Sequence, residues 1–187
     1  YIIDKPKLRP IEADAMYSGI LVDTDTFVTK TGVRTFEAAS FLKRSGADVT
    51  RVRKMFRTDL EAYKHKVEGV ENAELFMDNY AIGILPAEGV DSPTVMAAQI
   101  ANELLDVDGV KASFMLTKVK DTVYVSARSI DEVNVQVIME RLGGGGHASV
   151  AGAQFHDCTA EEARQQLEDL LRTMTAEGDT VSYTHLR

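Results

Sequence analysis

The spacing of hydrophobic positions changes near Asn79, and this change divides the chain into two parts. Before Asn79 the apolar residues recur at helical spacing. They predict a helix at 11–22, a second at 35–44, and a third that Asp48 caps and that runs towards Val67. After Asn79 short apolar or alternating runs separate longer helical runs, which is typical of an α/β fold. We therefore expect a helical segment followed by a sheet with flanking helices.

Four strands and three helices are predicted in the second part. The predicted strands are 80–85, 112–119, 122–128 and 150–156, and the predicted helices are 93–106, 133–142 and one that begins with the capping box at 159–162. Ser92 supplies a capping hydroxyl before Pro93 at the first helical position. In the strand 122–128, Tyr124, Ser126 and Arg128 share one face, opposite the apolar side chains.

Composition restricts the functions that this chain can have. The net charge of −8 argues against long nucleic acids as ligands, because proteins hold them largely through Lys and Arg. A small dianionic ligand needs only one positive pocket and is not excluded. The single cysteine, Cys158, rules out an internal disulfide. No run approaches the ~18 apolar residues of a membrane span, so we expect no membrane contact in this segment.

The run of glycines before His147 is the clearest candidate for chemistry. The four glycines are Gly143, Gly144, Gly145 and Gly146. Glycine lacks a Cβ atom and allows close approach of a ligand. Successive N–H groups in such a loop can converge on an anion, and the histidine adds a further donor. Because ordered-looking segments flank the run, the pattern favours a phosphate-binding loop over a flexible linker.

The glycine run with His147 resembles the signature of the DHHA1 domain, the substrate-binding lobe of DHH-family phosphoesterases. Upstream, residues 19–27 and 31–36 resemble the last conserved segment of the DHH catalytic lobe. The residues at 125–129 and 134–139 are most similar to those of bacterial cyclic-di-AMP phosphodiesterases. Together the similar segments extend over nearly the whole chain.

The resemblance implies a domain organisation. Residues 1–68 would be the C-terminal remnant of a DHH catalytic domain. Residues 69–178 would be a DHHA1 substrate-binding domain, with a mixed sheet of about four to five strands and flanking helices. Residues 179–187 would be a disordered tail or an added sequence.

The resemblance also implies a metal site, of which this chain carries little. The family holds two manganese ions with several Asp and His ligands, and Asp23 alone has a counterpart here. Asp23 also ends an apolar stretch, where an unpaired carboxylate would be costly. One carboxylate cannot hold two divalent ions. We therefore expect this chain to be a C-terminal piece of a longer enzyme, inactive alone and without stably bound manganese. We expect this segment to be cytoplasmic and the intact protein to be membrane-anchored through an upstream region.

The implied reaction is the hydrolysis of cyclic-di-AMP to linear pApA by the intact enzyme with two Mn²⁺ ions. The resemblance assigns Arg128 and the glycine loop to substrate binding, and His147 to substrate binding and to catalysis by stabilising charge on a phosphate oxygen. Asn134 either caps a helix or contacts the nucleotide. An oligoribonuclease acting on short oligonucleotides and a non-catalytic nucleotide-binding module remain open alternatives. The expected partner is a cyclic dinucleotide or a short oligonucleotide, and the sequence leaves a homodimer open.

Overall fold

The structure, a computed structural model, describes residues 8–130 and 133–177 of the chain. Contacts between residues divide the chain into two units, with the boundary between Asp59 and Leu60. The domain boundary expected at residue 68 therefore falls inside a helix that belongs to the second unit. The expected tail, 179–187, lies outside the described residues.

The first unit is helical, as the sequence predicts. Its described helices are α1 (Pro10–Asp23), α2 (Val33–Arg44) and α3 (Val49–Met55). The prediction that the third helix continues towards Val67 is wrong, since α3 ends at Met55 and a new helix begins at Leu60. Thr58 and Asp59 lie in the break between them. Such side chains compete with the backbone for hydrogen bonds and favour helix boundaries.

A buried carboxylate links the helices of the first unit. The Asp14 side chain accepts hydrogen bonds from Nε of Arg51 at 2.6 Å and from the N–H of Asp48 at 2.7 Å. The hydrogen bond from Arg51 is the main reason that the pKa of Asp14 lies below its usual range. Ala13, Leu42 and Ala47 form the small apolar core beside this pair.

The second unit is a sheet with helices on both faces. Its elements are α4 (Leu60–Glu71), β1 (Glu74–Phe76), β2 (Tyr80–Ile84), α5 (Pro93–Leu104), β3 (Ala112–Val119), β4 (Thr122–Ser129), α6 (Val135–Arg141), β5 (Gly145–His147), β6 (Val150–His156) and α7 (Ala160–Ala176). The strand order is β1-β2-β3-β4-β6-β5, and β2 and β3 form the parallel pair. The mixed α/β class is confirmed. The described sheet has six strands rather than four to five, because β1 and β5 are too short to give a periodic signal.

The two faces of the sheet are covered to different extents. On the closed face, α6 and α7 pack against all the central strands, and Phe114, Val123 and Val125 are buried there. On the open face, residues of α5 such as Ile100 pack against β2 and β3 around Met115. The residues of β4, β6 and β5 that point to this face stay partly or fully exposed. The sheet therefore presents an uncovered surface over three adjacent strands.

Candidate ligand site

The open face carries a cavity of about 650 Å³. Its floor comes from alternate residues of three strands, and Thr94 in the first turn of α5 closes one side. The floor residues that project to the open face are Tyr124 and Ser126 of β4, Gly152, Gln154 and His156 of β6, and Gly145 of β5. Polar side chains and glycines thus line the cavity, while the intervening residues of the same strands build the core.

Strand register sets the order of these groups across the cavity. Tyr124 is directly opposite Gln154. Ser126 is opposite Gly152, which is opposite Gly145. Directly opposed residues of antiparallel strands project from the same face. An aromatic and amide pair therefore lies beside a row in which two of the three residues have no side chain.

The first two glycines of the run end helix α6. Gly143 has a φ of 79°, the left-handed conformation that glycine adopts most easily. Its N–H donates to the carbonyl of Glu140 at 3.0 Å, and the N–H of Gly144 donates to the carbonyl of Met139 at 2.8 Å. These two bonds are those of a Schellman motif. The prediction that all four N–H groups converge on an anion is therefore wrong for Gly143 and Gly144.

Close packing accounts for two of the four glycines. A Cβ atom on Gly144 would overlap the carbonyl oxygen of Gly152, and one on Gly146 would lie 2.5 Å from the Cα atom of Ala151. Gly145 differs, because a Cβ atom there would have no heavy atom within 4 Å. Gly145 lines the cavity, so its missing side chain leaves space for a ligand and answers no packing requirement.

Arg128 lies next to Ser126 on the open face, just beyond the residues that line the cavity. Its Nη1 atom donates to the carbonyl of Ala127 at 2.9 Å. Partial burial lowers the pKa of the guanidinium, which stays cationic at neutral pH. No carboxylate within residues 8–130 and 133–177 forms an ion pair with it. Arg128 is opposite Val150, which is opposite His147, so strand spacing puts Arg128 and His147 about 10 Å apart on one face.

Residues 79–177, more than half of the chain, match the family model of the DHHA1 domain. The chain belongs to the DHHA1 family. The six-stranded sheet and the glycine segment are parts of this DHHA1 domain.

The chain is also similar to several curated proteins. It is 45% identical over 179 residues to the cyclic-di-AMP phosphodiesterase GdpP of Geobacillus thermodenitrificans, covering 94% of this chain and 27% of that protein. It is 44% identical over 168 residues to the cyclic-di-AMP phosphodiesterase PdeA of Listeria monocytogenes, covering 89% of this chain and 25% of that protein. The chain thus spans about a quarter of the length of these relatives.

A solved structure shares the fold. An exopolyphosphatase-related protein from Bacteroides fragilis superposes with a TM-score of 0.75 at 20% identity, covering 87% of this chain and 50% of that one. At this identity the likeness concerns the fold alone. Among the described helices, none has the length and apolar character needed to cross a bilayer.

Asn134 of the DHHA1 domain caps helix α6. Its Oδ1 atom accepts from the N–H of Gln136 at 3.1 Å and from the N–H of Val137 at 3.4 Å. Of the two alternatives that the sequence left open, the structure shows the cap. A contact between Asn134 and a nucleotide stays a prediction.

Asp23, the residue predicted as a metal ligand, lies at the end of α1. Its side chain is 75% exposed, and its Oδ1 atom is 3.7 Å from Nζ of Lys30. The expectation that it lies unpaired in apolar surroundings is therefore wrong, since α1 turns this position towards solvent. No cluster of three or more His, Cys, Asp or Glu side chains suited to a metal occurs in the described part of the chain. The residues present do not fit a two-metal centre, and we derive no step through one.

Three cavity residues were missed in the sequence: Thr94, Gln154 and His156. The alternation in 150–156 places Gln154 and His156 on one face, so the signal existed. What the sequence did not show is that β6 pairs with β4 and brings that face beside Tyr124. The predicted cap of α5 is also wrong, because the Ser92 side chain makes no capping hydrogen bond.

Proposed function

We propose that this DHHA1 domain is the substrate-recognition part of a phosphodiesterase that hydrolyses cyclic-di-AMP to linear pApA. The open face is the proposed binding surface. The names of the two bacterial relatives support the substrate, and the partly buried Arg128 beside the cavity is the observation that carries the proposal.

Arg128 is suited to bind phosphate because its charge is uncompensated. A guanidinium that loses part of its hydration is stabilised by an anion, and its planar donors match two oxygens of one phosphate. The hydrogen bond to the carbonyl of Ala127 uses only one of its five N–H donors. No acidic side chain in the described residues takes up the others, so they remain available to a ligand.

The surrounding residues support a phosphate at this end of the cavity. His147 is exposed on the same face and adds a donor, in agreement with the predicted role on a phosphate oxygen. The row of Gly145, Gly152 and Ser126 leaves space between Arg128 and the aromatic end of the cavity. A flat, charged ligand fits this order of groups better than a long nucleic acid does.

Hydrolysis is assigned to the intact enzyme, and recognition is the part proposed for this chain. Catalysis by His147 and the participation of two Mn²⁺ ions, with Asp23 as one ligand, belong to this proposal. In such enzymes metal ions activate water and stabilise developing charge on phosphate oxygens. Recognition by Arg128 does not depend on them.

Calorimetric titration of the 187-residue chain with cyclic-di-AMP, pApA and a short oligoadenylate tests the proposal. We expect a dinucleotide to bind and Arg128→Ala to weaken that binding at least tenfold. Arg172→Ala is the matched control, since Arg172 lies on α7 over the ring of Phe76, on the closed face. An Arg128→Ala chain that binds as well as wild type would contradict the proposal.

The ligand series also separates the alternatives. Tighter binding of the oligoadenylate than of either dinucleotide would favour the oligoribonuclease. Hydrolysis of any of the three by this chain with Mn²⁺ would show that the expected inactivity is wrong.

A further inference from the structure

We infer that Tyr124 and Gln154 form a subsite that recognises the adenine base. This inference rests on the proposed function, because it assigns one part of the ligand to one end of the same cavity. The observation behind it is the juxtaposition of an aromatic ring and a free amide on the cavity floor.

The two side chains are neighbours across strands. Tyr124 and Gln154 are directly opposite in the pairing of β4 with β6, which puts their Cβ atoms about 5 Å apart on the open face. Both residues line the cavity. A planar group that lies against the ring of Tyr124 would therefore have its edge within reach of the Gln154 amide.

Neither side chain is used by the fold. Within the described residues the Tyr124 hydroxyl and the Gln154 amide make no hydrogen bond. Other surface glutamines are engaged, since Gln136 donates to Glu140 at 2.8 Å and Gln165 donates to Asp169 at 2.9 Å. Gln154 has no such helical neighbour, and its donor and acceptor remain available to a ligand.

The chemistry of the pair matches adenine. A tyrosine ring offers a stacking surface to any base. A glutamine amide carries one acceptor and two donors, and it can accept from N6 of adenine while it donates to N7. Guanine presents two acceptors on the same edge, so the amide could satisfy only one of them there.

The distance to Arg128 suits a nucleotide rather than a free base. Tyr124 and Arg128 are separated by four residues of β4, or about 13 Å. The row of Ser126, Gly152 and Gly145 lies between them and has little side-chain bulk. A base on Tyr124 thus leaves the sugar over the glycines and directs the phosphate towards Arg128.

The test compares cyclic-di-AMP with cyclic-di-GMP by calorimetry on the 187-residue chain. Gln154→Glu replaces the amide by a group that only accepts hydrogen bonds, which removes the donor for N7 of adenine and suits the N–H groups of guanine. We expect the ratio of the two affinities to shift at least tenfold towards cyclic-di-GMP. Both ligands carry the same charge, so repulsion by the new carboxylate cancels in the ratio. Gln165→Glu is the matched control on α7 and should leave the ratio unchanged.

Tyr124 has its own pair of variants. Tyr124→Leu should weaken both ligands roughly tenfold, as expected for the loss of one stacked base. Tyr124→Phe keeps the ring and should bind as wild type does.

The outcomes separate this subsite from the proposed function. If Arg128→Ala abolishes binding while Gln154→Glu leaves the ratio unchanged, the adenine subsite is wrong and the proposed function stands. If Tyr124→Leu binds as tightly as wild type, the stacking role is wrong. If the wild-type chain binds neither dinucleotide, both proposals are overturned.

Discussion

The two faces of strand β4 show how one sequence pattern serves two purposes. Val123, Val125 and Ala127 point to the closed face and are buried under α6 and α7. Tyr124 and Ser126 point to the open face and are only partly buried. Adjacent residues share the same backbone hydrogen bonds, so the difference between them comes from what covers each face.

The comparison teaches that coverage, rather than strand formation, separates core from site. The closed face gains stability by removing apolar area from water. On the open face α5 stops at β3, and the polar side chains beyond it contribute little to packing. Substitutions on the closed face should therefore change the free energy of unfolding, and those on the open face should change ligand affinity.

Phe114→Ala should have the largest effect. Phe114 is fully buried among the closed-face residues, and removing such a ring costs about 3 to 5 kcal/mol through lost burial and a cavity. Urea denaturation followed by circular dichroism measures the change. The open-face control Ser126→Ala should stay within about 0.5 kcal/mol of wild type. Equal losses in the two variants would contradict the proposed division between the faces.

Gly144→Ala should destabilise the domain although it adds only a methyl group. That methyl group would overlap the carbonyl oxygen of Gly152, so β5 must move away from β6. Overpacking of this kind costs about 1 to 3 kcal/mol. The same denaturation experiment measures it, and an unchanged midpoint would show that β5 does not lie this close to β6.

Asn134→Ala should cost about 1 kcal/mol of stability, the usual value of an N-terminal cap. Because the side chain is bonded to the backbone of α6, affinity for a dinucleotide should change little. Asn134→Asp keeps the capping oxygen and should restore stability. Weaker binding by a fully stable Asn134→Asp chain would instead favour the nucleotide contact.

The sequence predicted most of the second unit because its long elements carry strong local signals. Strands 112–119 and 122–128 and the capping box at Thr159 were all recognisable, and the structure has β3, β4 and α7 there. The helix predicted over 48–67 failed because apolar spacing continues across a break that local polar residues cause. Short strands such as β5 depend on a partner distant in the sequence, and no local pattern shows it.

The site was predicted unevenly for the same physical reason. Arg128 and the glycine run stood out by residue type. Gln154 and His156 become cavity residues only through pairing of β6 with β4, which links positions about 30 residues apart by long-range hydrogen bonds. The glycine run was interpreted as one loop, whereas the structure divides it into a helix end and an edge strand.

Gly145→Ala sharpens the comparison most, although its effect on stability is the smallest. The position has ordinary backbone geometry and open space around a Cβ atom, so alanine should raise stability by about 0.4 to 1 kcal/mol through the unfolded chain. The same methyl group would project into the cavity and should weaken dinucleotide binding. Denaturation and calorimetry on one variant measure both changes. A variant that is more stable and binds as tightly as wild type would show that the ligand does not lie over β5. A variant that is more stable and binds more weakly would show that this glycine serves the ligand, while its neighbours Gly144 and Gly146 serve the fold.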